Sequence, residues 1–157
     1  MSMKNDLLLG NYFERLLLKY LNEQPEYLED QFSLSKYQYS IFDIKNSKIT
    51  GELKTRRVTH NRYPDTMIGQ NKIVRASNDA SATKYRFYFI FTDGLYFWDF
   101  NHEQYTSRKG GRTDRGKNEI KDYCFINKEY LTIITAEVKS ISQITDNAHS
   151  TSEIIID

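Results

Sequence analysis

The spacing of hydrophobic residues along this chain changes several times, and each spacing predicts a different element of structure. Apolar residues recur at helical spacing over Asp6–Asn22, which predicts an amphipathic helix with its first residue as the N-cap. A second helix is predicted over about Met67–Asp79, with Asp65 or Thr66 as its N-cap. We therefore expect one helix near the N-terminus and another near the middle of the chain.

An alternation of aromatic and other residues over Lys84–Phe100 predicts two long strands. Asp93-Gly94 divides this stretch, and that dipeptide is among the strongest short-range signals for a β-hairpin turn. We interpret Asp93 as a turn residue and the aromatic residues as core. Shorter runs predict further strands or apolar elements at Gln31–Leu34, Tyr123–Ile126 and Lys128–Thr135.

Another hairpin is predicted over Tyr39–Arg57, where two short strands flank the polar turn Lys45–Lys48. Asp43 lies near the end of the first strand, and Glu52 and Lys54 lie on the second. Because side chains alternate along a strand, Glu52 and Lys54 point to one face, and the hairpin brings Asp43 beside them. Two carboxylates and an ammonium on rigid strands form a site for a hard cation, which suits phosphodiester hydrolysis.

The pattern of Asp43, eight further residues and then Glu52-Leu53-Lys54 resembles the signature of the PD-(D/E)XK nuclease superfamily. The resemblance covers roughly Asp6–Phe100. It implies an α/β fold in which helices flank a mixed central β-sheet, with the core order α-β-β-β-α-β. It also implies that Asp43, Glu52 and the Leu53 carbonyl bind Mg²⁺ or Mn²⁺, while Lys54 orients water and stabilises negative charge.

In such nucleases the first helix commonly supplies another acid, and the resemblance assigns that role to Glu14. The alternative for Glu14 is a solvated charge beside the apolar stripe of the helix. A further Lys or Gln can come from the helix after the motif, where Lys72 or Gln70 could serve. Two more Glu-x-Lys triplets begin at Glu119 and Glu137, but neither follows a hairpin that would bring a second acid beside it.

The 157 residues predict one domain over residues 1–141 and a polar C-terminal tail over residues 142–157. A net charge of +1 excludes a uniformly basic nucleic-acid binder. The single cysteine, Cys124, excludes an internal disulfide, and no Cys/His cluster indicates a zinc site. The sequence shows neither a run of membrane-spanning length nor a secretory signal, so we expect an intracellular protein.

Positive charge is concentrated in two segments. The first directly follows Lys54, and the second, Tyr105–Lys121, contains three glycines and is predicted to be a flexible cationic loop. We expect these segments either to contact nucleic-acid phosphates or to be solvated surface. The basic residues predicted to bind DNA are Arg56, Arg57, Arg62, Lys72, Arg108, Lys109, Arg112, Arg115 and Lys117.

The residues and the resemblance together predict a metal-dependent endonuclease that hydrolyses DNA, either restriction-like or junction-resolving. A homodimer would supply the two sites needed to cut both strands. Two alternatives stay open: a nucleic-acid-binding or assembly protein that keeps this fold without catalysis, and a metal-independent interaction domain. Metal-dependent cleavage separates the nuclease from both alternatives.

Overall fold

The computed structural model describes residues 3–34, 43–79, 83–110 and 121–136, with side chains from Tyr12 onward. Within these ranges the α-helices are α1 (Met3–Asn22) and α2 (Gln70–Asn78). The strands are β1 (Ser33–Leu34), β2 (Ile44–Lys45), β3 (Ile49–Thr55), β4 (Asp65–Gly69), β5 (Lys84–Phe91), β6 (Gly94–Asp99), β7 (Tyr105–Gly110), β8 (Lys121–Asn127) and β9 (Thr132–Thr135). Short 3₁₀ helices cover Pro25–Tyr27 and Lys128–Tyr130.

Six of the strands form one mixed sheet in the order β1-β2-β3-β5-β6-β9. Neighbouring strands in it are antiparallel, except that β3 and β5 run parallel. The other three strands form an antiparallel sheet in the order β4-β8-β7. The predicted mixed α/β architecture is confirmed, but β4 lies between β3 and α2 in the chain and belongs to the second sheet. The predicted core order does not contain this strand.

The main sheet separates two hydrophobic cores, because successive residues of a strand face opposite sides. The core under α1 contains Phe13, Leu17, Leu21, Ile44, Ile49, Leu53 and Tyr88. The core under α2 and the smaller sheet contains Ile68, Ile73, Phe87, Phe89, Trp98, Cys124 and Ile126. Strand β5 contributes to both cores and is covered on both sides, as expected for a strand that has a parallel neighbour.

The predicted hairpin is confirmed, and β5 pairs with β6 from Phe91 and Gly94 to Arg86 and Asp99. Its turn consists of Thr92 and Asp93, so Asp93 is a turn residue as predicted and Gly94 is the first residue of β6. At the far end the Arg86 guanidinium donates to both carboxylate oxygens of Asp99, with Nε–Oδ1 at 2.7 Å and Nη2–Oδ2 at 3.2 Å. This fork-like pair is stronger than a single neutral hydrogen bond. It joins the two strands in one register.

The prediction of the second helix was wrong for its first residues. Asp65–Gly69 is strand β4, in which Thr66 and Ile68 are buried and alternate with less buried neighbours. The helix begins only at Gln70, with Gly69 as its N-cap, so the residues predicted to cap it belong to a strand instead. The period of two over this segment reflects its pairing with β8.

The prediction of a flexible loop over Tyr105–Lys121 was wrong for its first part, because Tyr105–Gly110 forms β7 and pairs with β8. Helix α1 begins at Met3, before the predicted cap. No helix in the part of the chain that the structure describes has the length and apolarity to span a membrane. Several predictions fall on residues outside the described ranges: strand residues 39–42, Arg112, Arg115, Lys117, Glu119, Glu137 and the tail over 142–157.

Replacing Gly51 by Ala should destabilise the fold, because a Cβ at this position in β3 would lie 3.0 Å from Ile44 Cγ1 and 3.1 Å from Tyr88 Cε2. Both neighbours are buried and cannot turn away, so we expect a loss of about 1–3 kcal/mol in the free energy of unfolding. Urea denaturation at equilibrium measures this loss.

Gly69→Ala is the control for this prediction, since its Cβ would meet only the exposed Asn71 side chain. It should cost less than about 1 kcal/mol, through the poorer N-cap alone. Equal losses for the two variants would contradict the tight packing inferred around Gly51.

Candidate active site

Strand β3 carries the central residues of the predicted site. Leu53 packs into the core under α1, so the alternation of side chains turns Glu52 and Lys54 toward α2 on the opposite face. The Glu52 side chain is only 3% exposed, whereas that of Lys54 is 35% exposed. One strand therefore presents a buried carboxylate next to an ammonium that solvent can reach.

The hairpin of β2 and β3 holds Asp43 beside this strand. Its turn is closed by the buried Asn46 side chain, whose Oδ1 accepts a hydrogen bond from the Ile49 N–H at 2.7 Å. The Asp43 N–H donates to the Gly51 carbonyl at 2.9 Å, and Asp43 Oδ2 accepts from the Leu53 N–H at 2.8 Å. The structure thus brings Asp43 alongside the middle of β3, as the hairpin pattern predicts.

Two lysine side chains balance the buried charge of Glu52. Lys54 Nζ lies 3.0 Å from Oε1, and Lys72 Nζ, from α2, lies 2.7 Å from Oε2. The approach of Lys72 has the distance of an ion pair but not the geometry of a hydrogen bond, so Oε2 has no hydrogen-bond donor among the described residues. Sequence reasoning placed Lys72 among the DNA contacts or at the metal site, but no spacing rule pairs it with Glu52.

Glu14 approaches the same site from α1. Its half-buried carboxyl is hydrogen-bonded to Asp43 and lies in the electrostatic field of Glu52 and Lys54. Burial, followed by repulsion from Asp43 and Glu52, raises the pKa of Glu14 to about 7, and Lys54 opposes this rise. The structure therefore brings together all four residues that the sequence analysis predicted to be catalytic.

Comparison with known families assigns the chain that carries this site to one of them. A family model described as "Phage putative PDDEXK endonuclease" matches residues 28–140, which is well over half of the chain. The chain belongs to this PDDEXK endonuclease family. The match confirms the resemblance seen in the sequence and includes every predicted site residue except Glu14, which precedes it on α1. Curated proteins and solved structures were also compared, and none matched the chain.

Nucleases of the PDDEXK type generally use divalent metals, and the oxygen donors of this member fit such an ion. Carboxylates and carbonyls are the ligands that Mg²⁺ and Mn²⁺ prefer. The Leu53 N–H faces Asp43, and its carbonyl leaves the strand on the same side. No group of three Asp, Glu, His or Cys side chains within the described ranges is arranged to hold a metal. The assignment of Asp43, Glu52 and the Leu53 carbonyl as metal ligands stays a prediction.

Two of the arginines predicted to bind DNA are held by other groups of this PDDEXK endonuclease. The Arg56 guanidinium donates to the Met67 carbonyl at 2.6 Å, and burial lowers its pKa while Glu52 opposes that effect. Arg108 Nη2 lies 2.8 Å from Asp65 Oδ2, and its guanidinium lies 3.6 Å from the centre of the Phe125 ring. Sequence reasoning missed these packing contacts because each joins elements far apart in the chain.

The remaining described basic residues lie at the surface. Arg57, Arg62 and Lys109 are exposed, and the Arg62 guanidinium lies 5.8 Å from the centre of the Tyr63 ring. Arg57 and Arg62 belong to the segment that leaves β3, while Lys109 lies on β7. Their role in binding DNA stays a prediction, as it does for Arg112, Arg115 and Lys117 outside the described ranges.

In the metal-free protein, Glu14→Gln should remove one contribution to the pH dependence of the free energy of unfolding. The folded protein retains a proton on Glu14 up to about pH 7, whereas the unfolded chain releases it near the usual value of 4.5. The unfolded state therefore binds fewer protons between these values, and the stability of the unmutated protein should fall as the pH rises through them. Glu14→Gln should lack this component of the fall.

Urea denaturation in EDTA at pH 5 and pH 8 measures the difference, with Glu23→Gln, an exposed residue just after α1, as the control. The control should keep the pH dependence of the unmutated protein. The same pH dependence in Glu14→Gln would show that Glu14 does not hold the proton.

Proposed function

We propose that this PDDEXK endonuclease is a metal-dependent enzyme that hydrolyses phosphodiester bonds of DNA. The observation that carries the proposal is that the Glu52 carboxylate is buried on a central strand, with Lys54 and Asp43 beside it. Membership of the PDDEXK endonuclease family supports the same conclusion. A buried carboxylate paired with two lysines, with a second acid close by, is a cluster of charged groups typical of functional sites.

Each side chain has a distinct role in the proposed reaction. Asp43, Glu52 and the Leu53 carbonyl would hold Mg²⁺ or Mn²⁺. When bound, this ion supplies polarisation of a phosphoryl oxygen and a lower pKa for a coordinated water. Lys54 is accessible to a phosphate oxygen, and it orients the attacking water and stabilises the negative charge that grows in the transition state. Glu14 positions Asp43 through their hydrogen bond.

Two modes of action are compatible with the proposal: restriction-like cleavage and resolution of branched DNA. Cutting two strands requires two such sites, which a homodimer would provide. The rival proposal is a protein that binds DNA on this fold without cleaving it. It forecasts no metal-dependent cleavage, so one assay of activity distinguishes it from the nuclease.

Asp43→Ala and Glu52→Gln should each abolish cleavage and leave DNA binding intact or tighter, because each removes a metal ligand and a negative charge that faces phosphate. Lys54→Ala should reduce the cleavage rate by about 10²–10³-fold without improving binding, since it removes a group whose interaction strengthens in the transition state. Cleavage of supercoiled, linear, single-stranded and four-way-junction DNA with Mg²⁺, Mn²⁺, Ca²⁺ or EDTA measures these effects. Ca²⁺ should support cleavage poorly.

Glu129→Gln, at an exposed acid outside the site, is the control and should cleave like the unmutated protein. Cleavage that survives in the Glu52→Gln, Lys54→Ala double variant would place the activity elsewhere. An absence of cleavage by the unmutated protein with every metal and substrate would favour the binding protein.

Exposed basic residues that contact phosphates should make DNA binding dependent on salt. Arg57→Ala, Arg62→Ala and Lys109→Ala should each weaken binding to all sequences alike, because phosphate contacts carry no information about bases. Each should also lower the slope of log affinity against log salt by about 0.9 for duplex DNA. Fluorescence anisotropy over a salt titration measures both quantities.

Lys19→Ala, at an exposed position of α1, is the matched control and should leave the slope unchanged. Slopes for Arg57→Ala, Arg62→Ala and Lys109→Ala that equal the unmutated slope would mean that these residues are solvated surface.

A further inference from the structure

A cavity of about 410 Å³ lies between the segment that leaves β3, the end of β5 and the second sheet. Aromatic and thioether side chains form its apolar wall, namely Tyr63, Met67, Phe91 and Phe125. Tyr63 is 56% exposed and lies at the rim. The volume is within the usual range for pockets that take small molecules.

Three side chains that carry nitrogen also line this cavity: Arg56, His60 and Arg108. Asp93, which does not line the cavity, holds His60 in place. Asp93 Oδ1 accepts a hydrogen bond from the backbone N–H of His60 at 2.9 Å, and Asp93 Oδ2 contacts Nδ1 of the ring at 2.5 Å. The ring also stacks on Tyr96, with 4.7 Å between ring centres. A carboxylate can only accept, so Nδ1 carries the proton in this contact.

The cavity begins where the row of proposed catalytic residues ends. The Arg56 N–H donates to the Ile90 carbonyl at 2.8 Å, which extends the pairing of β3 with β5 by one residue. Arg56 therefore continues the alternation and faces the same side as Glu52 and Lys54. Two residues along a strand span about 7 Å, so the cavity wall starts about that far from Lys54.

The chemistry of the lining matches a flat aromatic heterocycle. Phe125 carries the Arg108 guanidinium on its face at 3.6 Å, and both aromatic rings and guanidinium planes are surfaces on which bases stack. The exposed ring of Tyr63 offers a further stacking surface at the rim. An aliphatic ligand would not use these stacking surfaces.

Resting on the proposed cleavage of DNA, we infer that this cavity receives one unpaired nucleobase of the substrate, next to the phosphate that is cut. Extracting a paired base from a duplex costs a few kcal/mol, whereas a base that is already unpaired costs least. The substrate class is therefore DNA with an unpaired nucleotide beside the scissile bond, as in a bulge, a mismatch or a single-stranded branch.

The test compares three DNA duplexes that are identical except at one position: fully paired, with one bulged adenine, and with an abasic residue in that bulge. Fluorescence anisotropy with Ca²⁺ measures binding of the unmutated protein to each. Stacking is worth about 1–3 kcal/mol per base, so the bulged adenine should bind roughly tenfold more tightly than the abasic bulge. With Mg²⁺, cleavage should map next to the bulge.

Tyr63→Ala should remove most of this preference, and Tyr63→Phe should restore it, because the ring and not the hydroxyl is required. The exposure of Tyr63 makes both variants compatible with folding, which their melting temperatures check. Tyr130→Ala is the matched control, since Tyr130 is 45% exposed and does not line the cavity. It should keep the preference.

Equal affinity of the unmutated protein for the adenine and abasic bulges would overturn this inference while leaving DNA cleavage intact. A preference that survives in Tyr63→Ala would also overturn it, because the base would then bind elsewhere. Failure to bind any of the three duplexes, or any branched or single-stranded DNA, would instead remove the proposed function itself.

Discussion

The burial of Glu52 is the constraint on which the rest of the site depends. Taking a carboxylate out of water costs several kcal/mol unless close positive charges and hydrogen bonds compensate. Here the compensation comes from Lys54 on the same strand and Lys72 on α2. The ion pair of Lys72 with Glu52 therefore ties α2 to β3 through a charge that the proposed chemistry also needs. The same carboxylate therefore contributes both to the packing of the structure and to the proposed chemistry.

The topology explains how these groups come together. Strands β3 and β5 are parallel, and a parallel pair needs a long crossover connection. In this protein the crossover contains β4 and α2, so the same connection brings Lys72 to Glu52 and provides the first strand of the second sheet. Glu14 reaches the site from the other side of the main sheet, on a helix that precedes the matched region of the family.

The parts of this structure that were predictable from sequence are those with local signals. The hairpins whose turns contain Asp93 and Asn46 have turn residues between apolar strands, and both hairpins form as expected. The motif on β3 follows from the second of these hairpins. Coarse fold class and the grouping of Asp43, Glu52 and Lys54 could thus be predicted from short stretches of chain.

The parts that were missed depend on partners far away in the sequence. Strand β4 was taken for the start of a helix because its pairing with β8 lies beyond any local window. The ion pair of Lys72 with Glu52, and the hydrogen bond of Arg56 to Met67, likewise join residues that no periodicity relates. Sequence reasoning recognises charge but cannot tell whether a distant partner has already bound it.

The fork-like pair of Arg86 and Asp99 has a consequence for how the chain reaches this structure. A slip of one residue between β5 and β6 would turn the side chains of one strand to the opposite face of the sheet. It would separate the guanidinium from its carboxylate and place a charge where Phe87 and Phe89 now pack. The misaligned hairpin would lose this ion pair and bury a charge, which costs free energy that a hairpin of aromatic residues alone would not lose. The pair therefore selects the native alignment of the hairpin over alignments that are shifted by one residue.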